Sequence, residues 1–86
     1  MNINNLISIV KKKLIDQIEI ESIQIEDKSF LHKNHIGNQK GKYHLKLIIF
    51  SEELKNMKKI DSTKKIYKIL EIELKEYIHS IQILIS

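Results

Sequence analysis

The hydrophobic pattern in the last third of the chain changes its period at Ile78, and this change constrains the fold more than any other feature. Before Ile78 the apolar residues recur at helical spacing: Ile66, Ile69, Leu70 and Leu74. After it, residues 79–85 nearly alternate and are rich in isoleucine, which is typical of a strand. We therefore predict a helix with its N-cap at Asp61 or Ser62 that leads directly into a final strand.

The preceding residues predict the other elements. Apolar residues at helical spacing predict an amphipathic helix over 3–14, and alternation predicts strands over about 20–27 and 43–50. The apolar run 48–50 predicts that the second strand is buried on both faces at its end. Ser51, followed by two glutamates, predicts the cap and first turn of a short helix.

This element order, αββααβ, predicts the topology. The first two strands should form an antiparallel hairpin with a wide loop over 29–42. A helical crossover then makes the last strand parallel to the second. We expect an α+β fold with a three-stranded mixed sheet and the helices on one face. A length of 86 residues suits one domain, 1–86.

Composition narrows the class of protein. Hydrophobic residues make up 42% and charged residues 30%, which is typical of a globular chain. There is no cysteine, which excludes a disulfide or a thiolate site within the chain. No signal peptide or membrane-length apolar run is visible, so we expect a cytoplasmic protein. We also expect the chain to be a monomer when alone. The net charge of +4 permits an acidic partner without requiring one.

The predicted topology gathers histidines at one end of the molecule. His32 and His35 lie in the hairpin loop, His44 begins the second strand and His79 begins the third. Because the last two strands are parallel, their starts should lie at the edge where the loop begins and ends. Imidazole binds borderline metals, so His79 and a loop histidine could form half of a metal site that a partner or water completes. The alternative is that they are ordinary solvated histidines.

Several stretches, in this order and spacing, resemble the BolA family over nearly the whole chain. Asp27-Lys28-Ser29 followed by His32 is similar to the family's D-E-S…H entry into the loop. His44 to Ser51 resembles its H-F-K-V-x-V-V-S strand. Further matches are Ile66-Tyr67, Glu73-Leu74 and the run Ile78-His79-Ser80-Ile81, which is similar to V-H-A-L.

The resemblance implies a class II KH-like fold, αββααβ, which agrees with the predicted order. It also implies a partnership with a monothiol glutaredoxin through a shared [2Fe–2S] cluster. In that arrangement His79 would be one ligand and His32 the other, with His35 as the alternative loop ligand. The glutaredoxin would give a cysteine and glutathione another sulfur.

The alternative is a nucleic-acid-binding transcriptional regulator that contacts DNA through a lysine-rich helical region. Its candidate residues are Lys55, Lys58, Lys59, Lys64, Lys65 and Lys68. The loop between the two helices, 56–59, lacks the glycines with which a KH domain clamps a nucleic acid backbone, so these lysines could equally be a solvated helix face. No spacing indicates a catalytic triad or phosphate-binding loop, so we do not expect an enzyme.

Overall fold

The computed structural model describes residues 1–29 and 42–86, and these form helices and strands in the predicted order. The helices are α1 (Ile3–Gln17), α2 (Glu52–Lys55), α3 (Lys59–Ile69) and α4 (Glu71–Glu76). The strands are β1 (Ser22–Asp27), β2 (Tyr43–Phe50) and β3 (Ile78–Ile85). The α+β class and the αββααβ order are confirmed, with the predicted long helix divided into α3 and α4.

The three strands form one mixed sheet in the order β1-β2-β3. β1 runs antiparallel to β2, from Ser22 opposite Phe50 to Asp27 opposite Leu45. β3 runs parallel to β2. Both the predicted hairpin and the predicted crossover are therefore confirmed, and β2 is the central strand.

The core lies between the helices and one face of the sheet. Alternation in β2 turns Leu45, Leu47 and Ile49 toward the helices, and all three are buried. The helices contribute apolar residues one turn apart, namely Leu6, Val10, Leu14, Ile66 and Leu70. Burial of these side chains is the main favourable term in the stability of so small a fold.

The opposite face of the sheet is covered by none of the described elements. Phe50 is 49% exposed and Ile48 is half-buried. The prediction that β2 is buried on both faces at its end is therefore wrong. The apolar run there reflects an open sheet face that carries large side chains, together with Leu84 of β3, which is 43% exposed.

The predicted start of the long helix is also wrong. α3 begins at Lys59, and its N-cap is Lys58, without a side-chain cap hydrogen bond. Ser62 is buried inside the helix, and its hydroxyl donates to the Lys59 carbonyl at 3.0 Å. A serine hydroxyl bonds nearby backbone both at caps and within helices, so its presence did not locate the helix start.

Two backbone hydrogen bonds of helical spacing span the junction between α3 and α4. The Leu70 amide donates to Ile66, and the Leu74 amide donates to the Leu70 carbonyl. Leu70 itself departs from helical geometry, with φ −98° and ψ 19°. No proline or glycine marks this bend.

Within the described part of the chain, no helix is long and apolar enough to span a membrane.

Candidate functional site

The candidate site lies at the end of the sheet where β2 and β3 begin. The Tyr43 amide, at the start of β2, donates to the Tyr77 carbonyl just before β3 at 2.9 Å. The Lys42 ammonium reaches the Lys75 carbonyl at 3.2 Å. β1 ends at this same edge, since Asp27 pairs with Leu45. The segment between β1 and β2 therefore leaves the sheet and returns to it beside the first residues of β3.

His79 lies in a bulge of β3. Tyr43 pairs with Ile78, but the next residue of β2, His44, pairs with Ser80. β3 thus has one residue more than β2 at this step, and that residue is His79. The extra residue interrupts the alternation of β3. Ile78 is buried, and the next side chain turned toward the core is Ile81, three residues later rather than two. His79 is left exposed at the end of the sheet.

His44 packs directly against His79. The two ring centroids are 4.8 Å apart and the ring planes are inclined by 37°. His44 is 5% exposed, and its Nδ1 lies 2.6 Å from the Ser80 hydroxyl. The bulge therefore places three polar side chains from two parallel strands in one group: His44, His79 and Ser80.

The backbone of His44 is bonded to the end of β1. Its amide donates to the Ser29 hydroxyl at 3.0 Å, and its carbonyl accepts from the Lys28 amide at 2.7 Å. A further bond closes a turn there, from the Ser29 amide to the Asp27 carboxylate at 2.9 Å. His44 is thus connected both to the point where the 30–41 segment departs and, through its ring, to the start of β3.

Among the described residues, this group does not form a complete metal site. An exposed imidazole such as His79 is a good ligand for borderline metals. Among the described residues, however, no set of three or more His, Cys, Asp or Glu side chains could hold a metal ion together. A metal held by His79 would have to take its other ligands from the 30–41 segment or from another molecule.

Of the predicted ligands, only His79 can be placed. His32 and His35 lie outside the described residues. His44 was recognised in the sequence as the start of β2 but was not chosen as a site residue. Strand alternation puts the His44 side chain on the face away from the core. No feature of the local sequence indicates that a bulge in β3 brings His79 against it.

The predicted lysines extend from the end of α2 along α3 to its last turn. Five of the six are exposed: Lys55, Lys58, Lys59, Lys64 and Lys68. The sixth, Lys65, is half-buried, and its ammonium lies 2.6 Å from the Glu53 carboxylate of α2. That bond, with a second from the Glu19 amide, lowers the pKa of the Glu53 carboxyl below its ordinary value.

A groove accompanies the exposed lysines. It lies between α3 and the outer edge of β3 and is lined by Met57, Thr63, Ile83 and neighbouring residues. It continues past Thr63 to Ile60 and Tyr67, which are 61% and 44% exposed. Tyr67 is therefore on the surface rather than in the core. Three of the exposed lysines, Lys55, Lys59 and Lys64, line this largely apolar groove.

Comparison with known proteins gives three consistent results. A family model described as BolA-like protein matches residues 14–86. The DNA-binding transcriptional regulator BolA of Haemophilus influenzae is 30% identical over 73 residues, which cover 85% of this chain and 68% of that protein.

Solved structures with the same fold include two from Arabidopsis thaliana. The BolA domain of SufE1 has a TM-score of 0.77 and 23% identity, covering 100% of this chain and 93% of that one. BolA1 has a TM-score of 0.75 and 26% identity, covering 92% of this chain and 87% of that one.

Proposed function

Because this chain belongs to the BolA family, we propose that it is a non-enzymatic adaptor that partners a monothiol glutaredoxin and shares a [2Fe–2S] cluster with it. The role would be iron–sulfur trafficking or iron and redox sensing. The observation that carries the proposal is the position of His79, an exposed imidazole in a bulge at the edge where the 30–41 segment begins and ends.

The donor set explains why a partner is needed. [2Fe–2S] clusters are ordinarily held by cysteine thiolates, and this chain has no cysteine. His79 would hold the cluster from this chain, together with His32 or, alternatively, His35. The glutaredoxin cysteine and glutathione would supply the sulfur ligands. When bound, such a cluster supplies one-electron redox chemistry, and histidine ligation raises its potential relative to thiolate ligation.

The test is to mix the chain with a monothiol glutaredoxin, glutathione, iron and sulfide, and to record visible absorption and circular dichroism. We expect a spectrum that differs from that of the glutaredoxin alone and that is lost in His79→Ala. His79→Ala should keep its fold, because the side chain is exposed. Gln82→Ala, an exposed residue on the same strand, is the control and should leave the spectrum unchanged.

The loop ligand is identified by the same spectra. His32→Ala should lose the mixed spectrum and His35→Ala should keep it, and the reverse result would assign His35 instead. If His79→Ala forms the same mixed cluster as the natural chain, the proposal is wrong. If the natural chain never changes the spectrum of the glutaredoxin, the proposal is also wrong.

A second candidate function, DNA binding in transcriptional regulation, is favoured by the name of the Haemophilus influenzae relative. The exposed lysines of the α2–α3 turn and of α3 would neutralise phosphates, and Lys65 would contribute least because it is paired with Glu53.

The test is DNA affinity as a function of salt. The double variant Lys59→Gln/Lys64→Gln should weaken binding and reduce the slope of log K against log salt by roughly 1–2. Lys11→Gln/Lys12→Gln, a pair of exposed lysines on α1, is the matched control. Equal effects of the two pairs would indicate that the α2–α3 lysines are not the DNA-binding surface.

A further inference from the structure

The bulge that exposes His79 also leaves it without a place in the regular strand pairing. Its neighbours Ile78 and Ser80 pair with Tyr43 and His44, and His79 pairs with neither. A side chain at such a position has the rotamer freedom of an exposed residue unless something packs against it. In this structure the His44 ring does so, at a centroid separation of 4.8 Å.

The His44 ring is itself held in place. It is buried on the outer side of the sheet, and its Nδ1 is 2.6 Å from the Ser80 hydroxyl. Its backbone is bonded on both sides to the end of β1, through Ser29 and Lys28. The ring therefore presents a fixed surface to His79, with Ser80 fixing the ring.

We infer that His44 and Ser80 are positioning residues for His79: the Ser80 hydroxyl fixes the His44 ring, and that ring holds the His79 imidazole in one orientation at the end of the sheet. This inference rests on the proposed function, in which His79 holds the shared cluster. A ligand held in one orientation before the partner arrives does not lose rotamer freedom on binding, which favours formation and retention of the site.

Ser80 is the better residue to test, because His44 is buried and its replacement could unfold the chain. Ser80→Ala removes only the hydroxyl that fixes the His44 ring. Ser80→Thr restores a hydroxyl at the same position on an exposed strand residue. Gln82→Ala lies two residues further along the same face of β3 and serves as the control.

The first readout uses the isolated chain without any cluster. Three-bond couplings of the labelled side chain report the χ1 rotamer of His79, and nuclear Overhauser effects report contact between the two rings. The natural chain, Ser80→Thr and Gln82→Ala should show one rotamer and ring-to-ring contacts. Ser80→Ala should show averaged couplings and lose those contacts, while its backbone shifts away from β3 stay unchanged.

The second readout is the half-life of the mixed cluster with a monothiol glutaredoxin. Ser80→Ala should shorten it roughly tenfold, the lower end of what loss of a group that orients a metal ligand costs, and Ser80→Thr should restore it. A single His79 rotamer in Ser80→Ala overturns the inference. So does an averaged rotamer in Ser80→Ala combined with an unchanged half-life.

The two proposals can fail separately. If the natural chain forms no mixed cluster, the proposed function fails, and the couplings of the isolated chain still decide whether His44 and Ser80 fix His79. If His79→Ala abolishes the cluster but Ser80→Ala changes neither readout, the proposed function stands and the positioning role is wrong.

Discussion

Glu73 is the most unusual single residue in the core region. Its side chain is 6% exposed, and one carboxylate oxygen lies 2.7 Å from the Lys13 ammonium of α1. The other oxygen, Oε1, is buried and has no hydrogen-bond partner among the described residues. A buried carboxylate requires its counter-charge, so the stability of the α1–α4 contact depends on Lys13.

Lys13→Met is therefore expected to lower the free energy of unfolding by roughly 1–3 kcal/mol, since it leaves Glu73 buried without its cation. The loss in the free energy of unfolding should lie toward the lower end of this range, because the Lys13 side chain is 34% exposed and solvent partly screens the ion pair. Lys12→Met, one residue earlier and exposed, is the matched control. Urea unfolding measures both. Equal midpoints for the two variants would contradict the importance of the pair.

The pH dependence of stability should include a contribution from Glu53. Its bond to the Lys65 ammonium, and a second to the Glu19 amide, lower the pKa of Glu53 in the folded chain. A carboxyl whose pKa is lower in the folded than in the unfolded state stabilises the fold at pH values above its unfolded-state pKa. This contribution is lost as the pH falls through the folded-state pKa. The stability difference between the natural chain and Glu53→Gln should therefore shrink on acidification through this window. A constant difference from neutral to acidic pH would contradict it.

At the scale of elements, the Ser51 hydroxyl connects α2 to the segment between α1 and β1. The hydroxyl accepts from the Leu54 amide at 3.2 Å, which caps α2, and donates to the Glu19 carbonyl at 2.7 Å. The side chain is 1% exposed. The cap was predicted from sequence because a serine followed by two glutamates is a local signal. The bond to the α1–β1 connection was not, because it joins residues 32 positions apart.

Ser51→Ala should destabilise the chain by about 0.5–2 kcal/mol, the range for loss of a helix cap. The loss should lie toward the upper end because the Glu19 carbonyl also loses its donor. Ser8→Ala, at an exposed position in the middle of α1, is the control and should change stability by less than about 0.5 kcal/mol. Thermal or urea unfolding distinguishes the two variants. A Ser51→Ala variant as stable as Ser8→Ala would contradict this account of the cap.

Elements with strong periodic patterns could be predicted, and their exact ends could not. The strand β2 follows from alternation over its eight residues, and β3 follows from the alternation of the residues after its bulge. The start of α3 was missed because Lys58, its N-cap, has no capping side chain. The bulge at His79 was missed because it depends on how β3 aligns with β2, which is not a local property of either strand.

At the scale of the whole molecule, the predicted topology located His79 better than any sequence motif did. The order of the elements alone predicted that His79 would lie at the edge where the hairpin loop begins and ends, and the pairing of β1, β2 and β3 confirms this. The contact of His79 with His44 needed the structure. The proposal that a partner supplies thiolate ligands rests on the family resemblance, since this chain has no cysteine.

The most direct test of this account is pulsed electron paramagnetic resonance on the reduced mixed cluster. The chain would carry ¹⁵N-labelled histidine, and the glutaredoxin and glutathione would be unlabelled. We predict a ¹⁵N coupling from a directly bound imidazole that is present in the natural chain and changed or lost in His79→Ala. A cluster that forms with this chain but shows no histidine nitrogen coupling, or the same coupling without His79, would contradict the account.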